Sequence, residues 1–174
     1  MHDRVGVINT TVFVVLMLAA VLLDLRSRRI PNWLTVAGLV AALLLRSVGG
    51  RDSLVGGLSG AGLAALVSLP LFAVGALGGG DGKLLIAIGG FMGPSRLAGA
   101  LLLIALVGGA LAVVDAYRRG ILVPVWLNAV DLIKHWLTLG RRGRRIGLAT
   151  PGAVTVPYGV AIAAGSLAWW FWGA

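Results

Sequence analysis

This sequence predicts an all-α, polytopic membrane protein, on three observations. Hydrophobic residues make up 59% of the 174 positions and charged residues only 12%; the mean hydropathy is +0.98; and the apolar residues fall into long runs separated by short polar stretches. A chain of this composition lacks the polar surface needed to cover a soluble globule. Six apolar runs are legible, against the roughly 20 residues a spanning helix requires, and the whole chain, residues 1–174, reads as one membrane-embedded domain.

The first run, Val5 to Leu23, reads as a retained helix rather than a secretory leader. Its basic start is weak, and Ala19 and Ala20 are followed by more apolar residues and then Asp24. The second, Trp33 to Leu45, and the fourth, Leu84 to Met92, are short for a full crossing, so each is shallow, tilted or seated where the bilayer thins. The third and fifth runs, Leu54 to Leu77 and Leu97 to Val114, are of ordinary spanning length. Between Ile121 and Leu139 the polar residues Asn128, Asp131, Lys134 or His135, and Thr138 recur every three or four positions, with Trp126 and Trp136 among them. That single polar stripe predicts an amphipathic helix lying in the membrane interface. The sixth run, Val154 to Trp172, closes on Trp169, Trp170 and Trp172, a set suited to an interfacial belt. Small residues such as Gly56, Gly57, Gly60 and Gly62, and again Gly159, Ala163 and Gly165, allow close helix approach in lipid.

Charge orients these elements. Eleven of the fifteen Lys and Arg residues lie in segments on one side, leaving Arg4, Arg46, Arg51 and Arg96 on the other. The positive-inside rule places the richer side in the cytoplasm, in an inner, cytoplasmic membrane. The net charge of +9 is then accounted for by attraction to anionic lipid, about 1 kcal/mol per juxtamembrane residue, and nucleic acid is not implied.

The chain has no cysteine, which excludes disulfides, thiolate zinc sites and a cysteine nucleophile, and its two histidines, His2 and His135, are far apart. No metal and no cofactor are expected. Glutamate is absent too, so acid chemistry must come from six aspartates. Asp115 precedes Tyr117, Arg118 and Arg119 and reads as an ion-pair partner, while Asp131 on the polar stripe reads as solvated. Asp24 and Asp81 are different, because each stands at the edge of an apolar run on the predicted cytoplasmic side. Acids at membrane depth are functional candidates by default.

Taken singly, each has a plain structural account: Asp24 can pair with Arg28 one turn on, and Asp81 can cap a helix. Taken jointly on one face of the membrane, they suggest a catalytic pair. A carboxyl pair hydrolyses a peptide when one ionised oxygen takes a proton from water and the partner, still protonated, donates to the substrate carbonyl. Gly78, Gly79 and Gly80 precede Asp81, and glycine lets the chain turn sharply, with positive φ if required, and lets backbone or substrate approach. Asp81 would open a helix whose dipole favours its anion, with Lys83 nearby as charge support.

These residues resemble the type IV prepilin peptidases, the GxGD class of aspartyl proteases. The resemblance is carried by Asp24 followed by Arg26, Arg28, Arg29, Ile30, Pro31 and Asn32, by Gly78, Gly79, Gly80, Asp81 and Lys83, and by Val156 to Ala163 near the end. It implies that Asp24 and Asp81 activate water between them, that Gly78 and Gly80 shape the turn, and that the substrate is a prepilin or pseudopilin whose basic leader is cut at the cytoplasmic membrane surface after a glycine. The chain lacks the cysteine-bearing N-terminal extension of larger members, so it is similar to the short, peptidase-only form found with tight-adherence (Flp-type) pili, and N-methylation is not expected. An arginine or Lys83 is a candidate to meet the acidic residue such pilins carry just after the cleavage site. A preflagellin peptidase would share the chemistry. From other classes, a small ion-coupled transporter could use the same aspartates as ion ligands, and an idle assembly subunit would need neither.

Overall fold

The computed structural model describes residues 2–73, 75–120 and 158–173. Among them stand five helices and no strand: α1 (His2–Ser27), α2 (Asn32–Val48), α3 (Arg51–Ala73), α4 (Gly79–Arg118) and α5 (Tyr158–Trp172). The predicted interfacial helix between Ile121 and Leu139, the basic run Arg141 to Arg145 and the start of the last predicted run lie outside the described residues.

The helical class is as the composition requires. Three helical stretches, Val5–Ser27, Arg51–Ala73 and Gly79–Arg118, are long and apolar enough to cross a membrane. The other two described helices fall short of that length, α2 at 17 residues and α5 at 15, so among the described residues length and composition carry three crossings, where six are predicted. One reason is that the fourth and fifth apolar runs form one 40-residue helix, α4. That helix is broken at Gly93, where φ is 75° and ψ 172°, a region open in practice to glycine alone. Pro94 follows and has no N–H to continue the ladder.

Each helix buries a stripe at helical spacing. On α1 the buried positions are Phe13, Leu16, Met17, Ala20 and Asp24, so Asp24 continues the core-facing row and points into the bundle. On α2 the row Leu34, Gly38 and Ala42 leads to Arg46. On α3 it is built of small residues, Gly57, Gly60, Ala61, Ala64 and Ser68. Gly60 and Gly89 of α4 meet backbone to backbone, since a Cβ on either would strike the other's carbonyl. That contact explains how α4 packs so closely on α3 without large side chains.

Beyond Gly93, α4 lies along α5 in the reverse direction: Gly99 faces Trp169, Ile104 faces Gly165, and Gly108 faces Tyr158. The core between α1, α4 and α5 is filled by Phe13, Met17, Leu84, Ile88, Phe91, Leu97 and Ile162. Phe13 stacks on Trp170 with ring centroids 4.4 Å apart. Trp170 also donates its indole N–H to Thr10 Oγ1 at 3.3 Å. The predicted tryptophan belt is therefore divided: Trp172 is 83% exposed, whereas Trp170 is part of the packing.

Two arginines serve the end of the bundle that holds the α2 C-terminus. Arg46 donates to the carbonyls of Phe91 at 2.9 Å and Ser53 at 3.2 Å, its side chain passing over Gly56 and Gly57. Phe91 O lies just before the α4 break, where carbonyls lose their partners in the ladder. Arg96 does the same for α5, donating to Trp170 O at 2.9 Å and Gly173 O at 3.1 Å.

Candidate active site

The opposite end of the bundle holds both aspartate segments. α1 stops where Arg28 adopts φ 50°, a left-handed conformation that ends a helix. Its N–H still reaches Asp24 O at 2.7 Å, and the Ser27 hydroxyl donates to Leu23 O at 2.7 Å. Pro31, with φ −71° and ψ 146°, is the extended residue before α2. Four residues thus separate α1 from α2, and Asp24 sits one turn from the bend.

The second segment begins where α3 ends in a Schellman motif. Gly75 takes φ 74°, its N–H bonds Phe72 O at 2.9 Å, and the Ala76 N–H bonds Leu71 O at 2.8 Å. Gly78 then precedes α4 in an extended conformation, φ −69° and ψ 147°. Positive φ, which glycine makes available, is used in this loop at Gly75, and none of Gly78, Gly79 and Gly80 is left-handed.

These glycines serve close approach instead. A Cβ on Gly80 would lie 2.9 Å from Ile30 O and 3.1 Å from Ile30 Cβ, so the two motif turns touch through Gly80. A Cβ on Gly78 would lie 2.6 Å from Asp81 Oδ2, so the Asp81 carboxyl turns back over the residue before α4. The third helical residue reaching back to the cap is the side-chain placement of a capping box. The two turns are joined again by Lys83, which donates to Asn32 Oδ1 at 2.8 Å. Lys83, singled out as substrate or charge support, is therefore engaged by the start of α2.

Asp24, Arg28, Arg29, Ile30, Gly78, Gly79, Gly80 and Asp81 line one cavity of about 320 Å³. Its wall comes from the two motif turns, and Asp24 lies within electrostatic reach of Asp81. Asp24 is 5% exposed. The volume is at the lower end of the roughly 300–1,000 Å³ typical of ligand pockets, room for a short stretch of extended chain. Among the described residues no group of three His, Cys, Asp or Glu could hold a metal ion. Asp115, the rival acid, forms an ion pair with Arg119 Nε at 2.9 Å.

Sequence reasoning missed the contribution of α5. The Gly159 N–H, in the first turn of that helix, donates to Asp24 Oδ2 at 3.0 Å, with the Val160 N–H next in the same turn. Tyr158, half-buried beside them, lies over Gly108 and within electrostatic reach of Asp81. The signal was the stretch Val156 to Ala163, which carries part of the family resemblance and supplies small residues for packing but does not by itself point to Asp24.

The described helices form an all-helical, largely apolar bundle that gathers two aspartates from separate turns onto one cavity. Residues 11–113 match the type IV leader peptidase family, and the chain belongs to that family, which makes it a protease of the leader-peptidase kind. The match spans both aspartates and stops short of α5. No curated protein and no solved structure matches the chain at a significant level.

Proposed function

We propose that this protein is an aspartyl endopeptidase that removes the basic leader from prepilins or pseudopilins at the cytoplasmic face of the inner membrane. The observation that carries the reading is the shared cavity: Asp24 and Asp81, 57 positions apart in the chain, line one space that also holds the glycine turn. Six passes fit this reading, with α2 and α5 as short crossings and α4 counted as two joined at Gly93. The molecule then works as one membrane-embedded domain, seated among anionic lipids, with both aspartates at the basic, cytoplasmic side.

The chemistry follows from the pair. One carboxylate takes a proton from water, and the oxygen so activated attacks the scissile carbonyl carbon. The protonated partner donates to the carbonyl oxygen, giving a neutral gem-diol. Collapse of the diol breaks the C–N bond as a carboxyl proton passes to the leaving nitrogen, and the remaining hydroxyl proton returns to the pair. Gly78 and Gly80 keep the wall near Asp81 free of side chains, so an extended substrate can lie against it. Arg28 and Arg29 on the same wall complement an acidic side chain in the substrate. Lys83, held by Asn32, acts on the architecture of the turn.

The test is a processing assay on the full chain in detergent or liposomes with a prepilin substrate, comparing wild type with Asp24→Asn and Asp81→Asn. Each substitution should lower cleavage by about 10³-fold or more with an unchanged thermal midpoint, in line with the loss of a member of a catalytic unit. Cleavage equal to wild type in either variant refutes the pair. Solute uptake by proteoliposomes, with no cleavage, would support a transporter instead.

A further inference from the structure

We propose that Gly159 is a positioning residue of the active site, its N–H clamping Oδ2 of Asp24 and its missing side chain leaving the space that the carboxyl occupies. This rests on the reading of Asp24 as one of the catalytic pair. Three observations support it. The Gly159 N–H donates to Asp24 Oδ2 at 3.0 Å, in a buried bond between residues 135 positions apart. A Cβ at 159 would lie 2.7 Å from that Oδ2, 2.9 Å from Cγ and 3.0 Å from Cβ of Asp24. The donor belongs to the first turn of α5, where backbone N–H groups have no partner within the helix and carry its positive dipole end.

A carboxyl fixed by Oδ2 presents Oδ1 to water, and the angle at which it does so is set by how α5 docks. Asp24 has otherwise a single χ1 and χ2 with which to move toward or away from Asp81. The cavity wall itself comes from α1, α4 and the two motif turns; α5 acts from behind it, through Asp24, and lies outside the residues that match the family.

Helix packing is the competing account, and Gly165 separates the two. A Cβ at 165 would lie 2.6 Å from Ile104 N and 2.7 Å from Ile104 Cα, so Gly165→Ala pushes α5 off α4 one and a half turns or more from Asp24. The assay uses the full chain in detergent and a peptide with a basic leader ending in glycine, followed by an apolar segment. Gly159→Ala should lower kcat about 100-fold, the scale on which a small misplacement of a catalytic group is felt, with KM within about threefold. Gly165→Ala should lower the thermal midpoint while kcat, measured below that midpoint, stays within about threefold.

A thermal cycle tests the clamp without catalysis. Gly159→Ala should lower the midpoint by about 4 °C or more when Asp24 is present, and by less than half as much in an Asp24→Ala background, where the carboxyl is gone. Equal losses in both backgrounds, or a Gly159→Ala enzyme with kcat within about threefold of wild type, would overturn the proposal. If wild type does not cut the peptide, the peptidase reading fails, and the thermal cycle alone supports or overturns the clamp.

Discussion

Gly80 and Gly109 are the same residue with opposite roles, and the difference is what surrounds the absent Cβ. At Gly80 a Cβ would meet the Ile30 backbone, which cannot rotate away, whereas at Gly109 nothing lies within 4 Å. Gly80→Ala should therefore cost about 1–3 kcal/mol through overpacking and separate the two aspartate turns, lowering cleavage as well. Gly109→Ala should be neutral or stabilising by up to about 1 kcal/mol, since alanine is the better helix former. Thermal midpoints of the two variants check both. Lys83→Met belongs at this scale too: loss of the 2.8 Å bond to Asn32 loosens the contact between turns at an exposed position, so cleavage should fall by less than about tenfold, far less than for either aspartate variant. The aspartates were legible because an acid beside an apolar run is rare. Gly159 was not, because a glycine in a helix of small residues looks like packing wherever it falls.

Among the elements, α4 departs most from expectation. Its two apolar runs, Leu84 to Met92 and Leu97 to Val114, were read as separate helices, and the break at Gly93 with Pro94 beside it lies between them. What the sequence could not reveal is that Arg46, from the far end of α2, donates a hydrogen bond to Phe91 O beside the break. Arg46→Met keeps much of the stem and removes the donors to Phe91 O and Ser53 O, at a cost of about 1–3 kcal/mol. Gly93→Ala forces a Cβ into a glycine-only region and should cost a similar amount, about 1–3 kcal/mol. Both losses should appear in the denaturation midpoint. At temperatures where each variant remains folded, cleavage should persist, because the aspartate cavity is at the other end of the bundle.

Over the whole molecule, the charge asymmetry predicts an orientation, and the absence of cysteine makes it testable. In Arg26→Cys, at the exposed end of α1, and Arg51→Cys, at the exposed start of α3, the new thiol is unique. An impermeant maleimide added to sealed inverted vesicles should label the first and not the second, and to right-side-out vesicles the second and not the first. The reverse pattern would place the aspartates on the outer side and remove the proposed site of leader cleavage. By itself the sequence determined the helical membrane class, from hydropathy summed over each run, and the two acidic turns, from the cost of leaving a carboxyl beside hydrocarbon. Those are properties of a segment and its solvent, and they need no partner. Only the tertiary structure decided that Gly80 rests on Ile30, that Lys83 is bound to Asn32, and that the N-terminus of α5 holds Asp24. Each is a contact between segments distant in the chain, fixed by how closely helices approach, and local composition does not specify that.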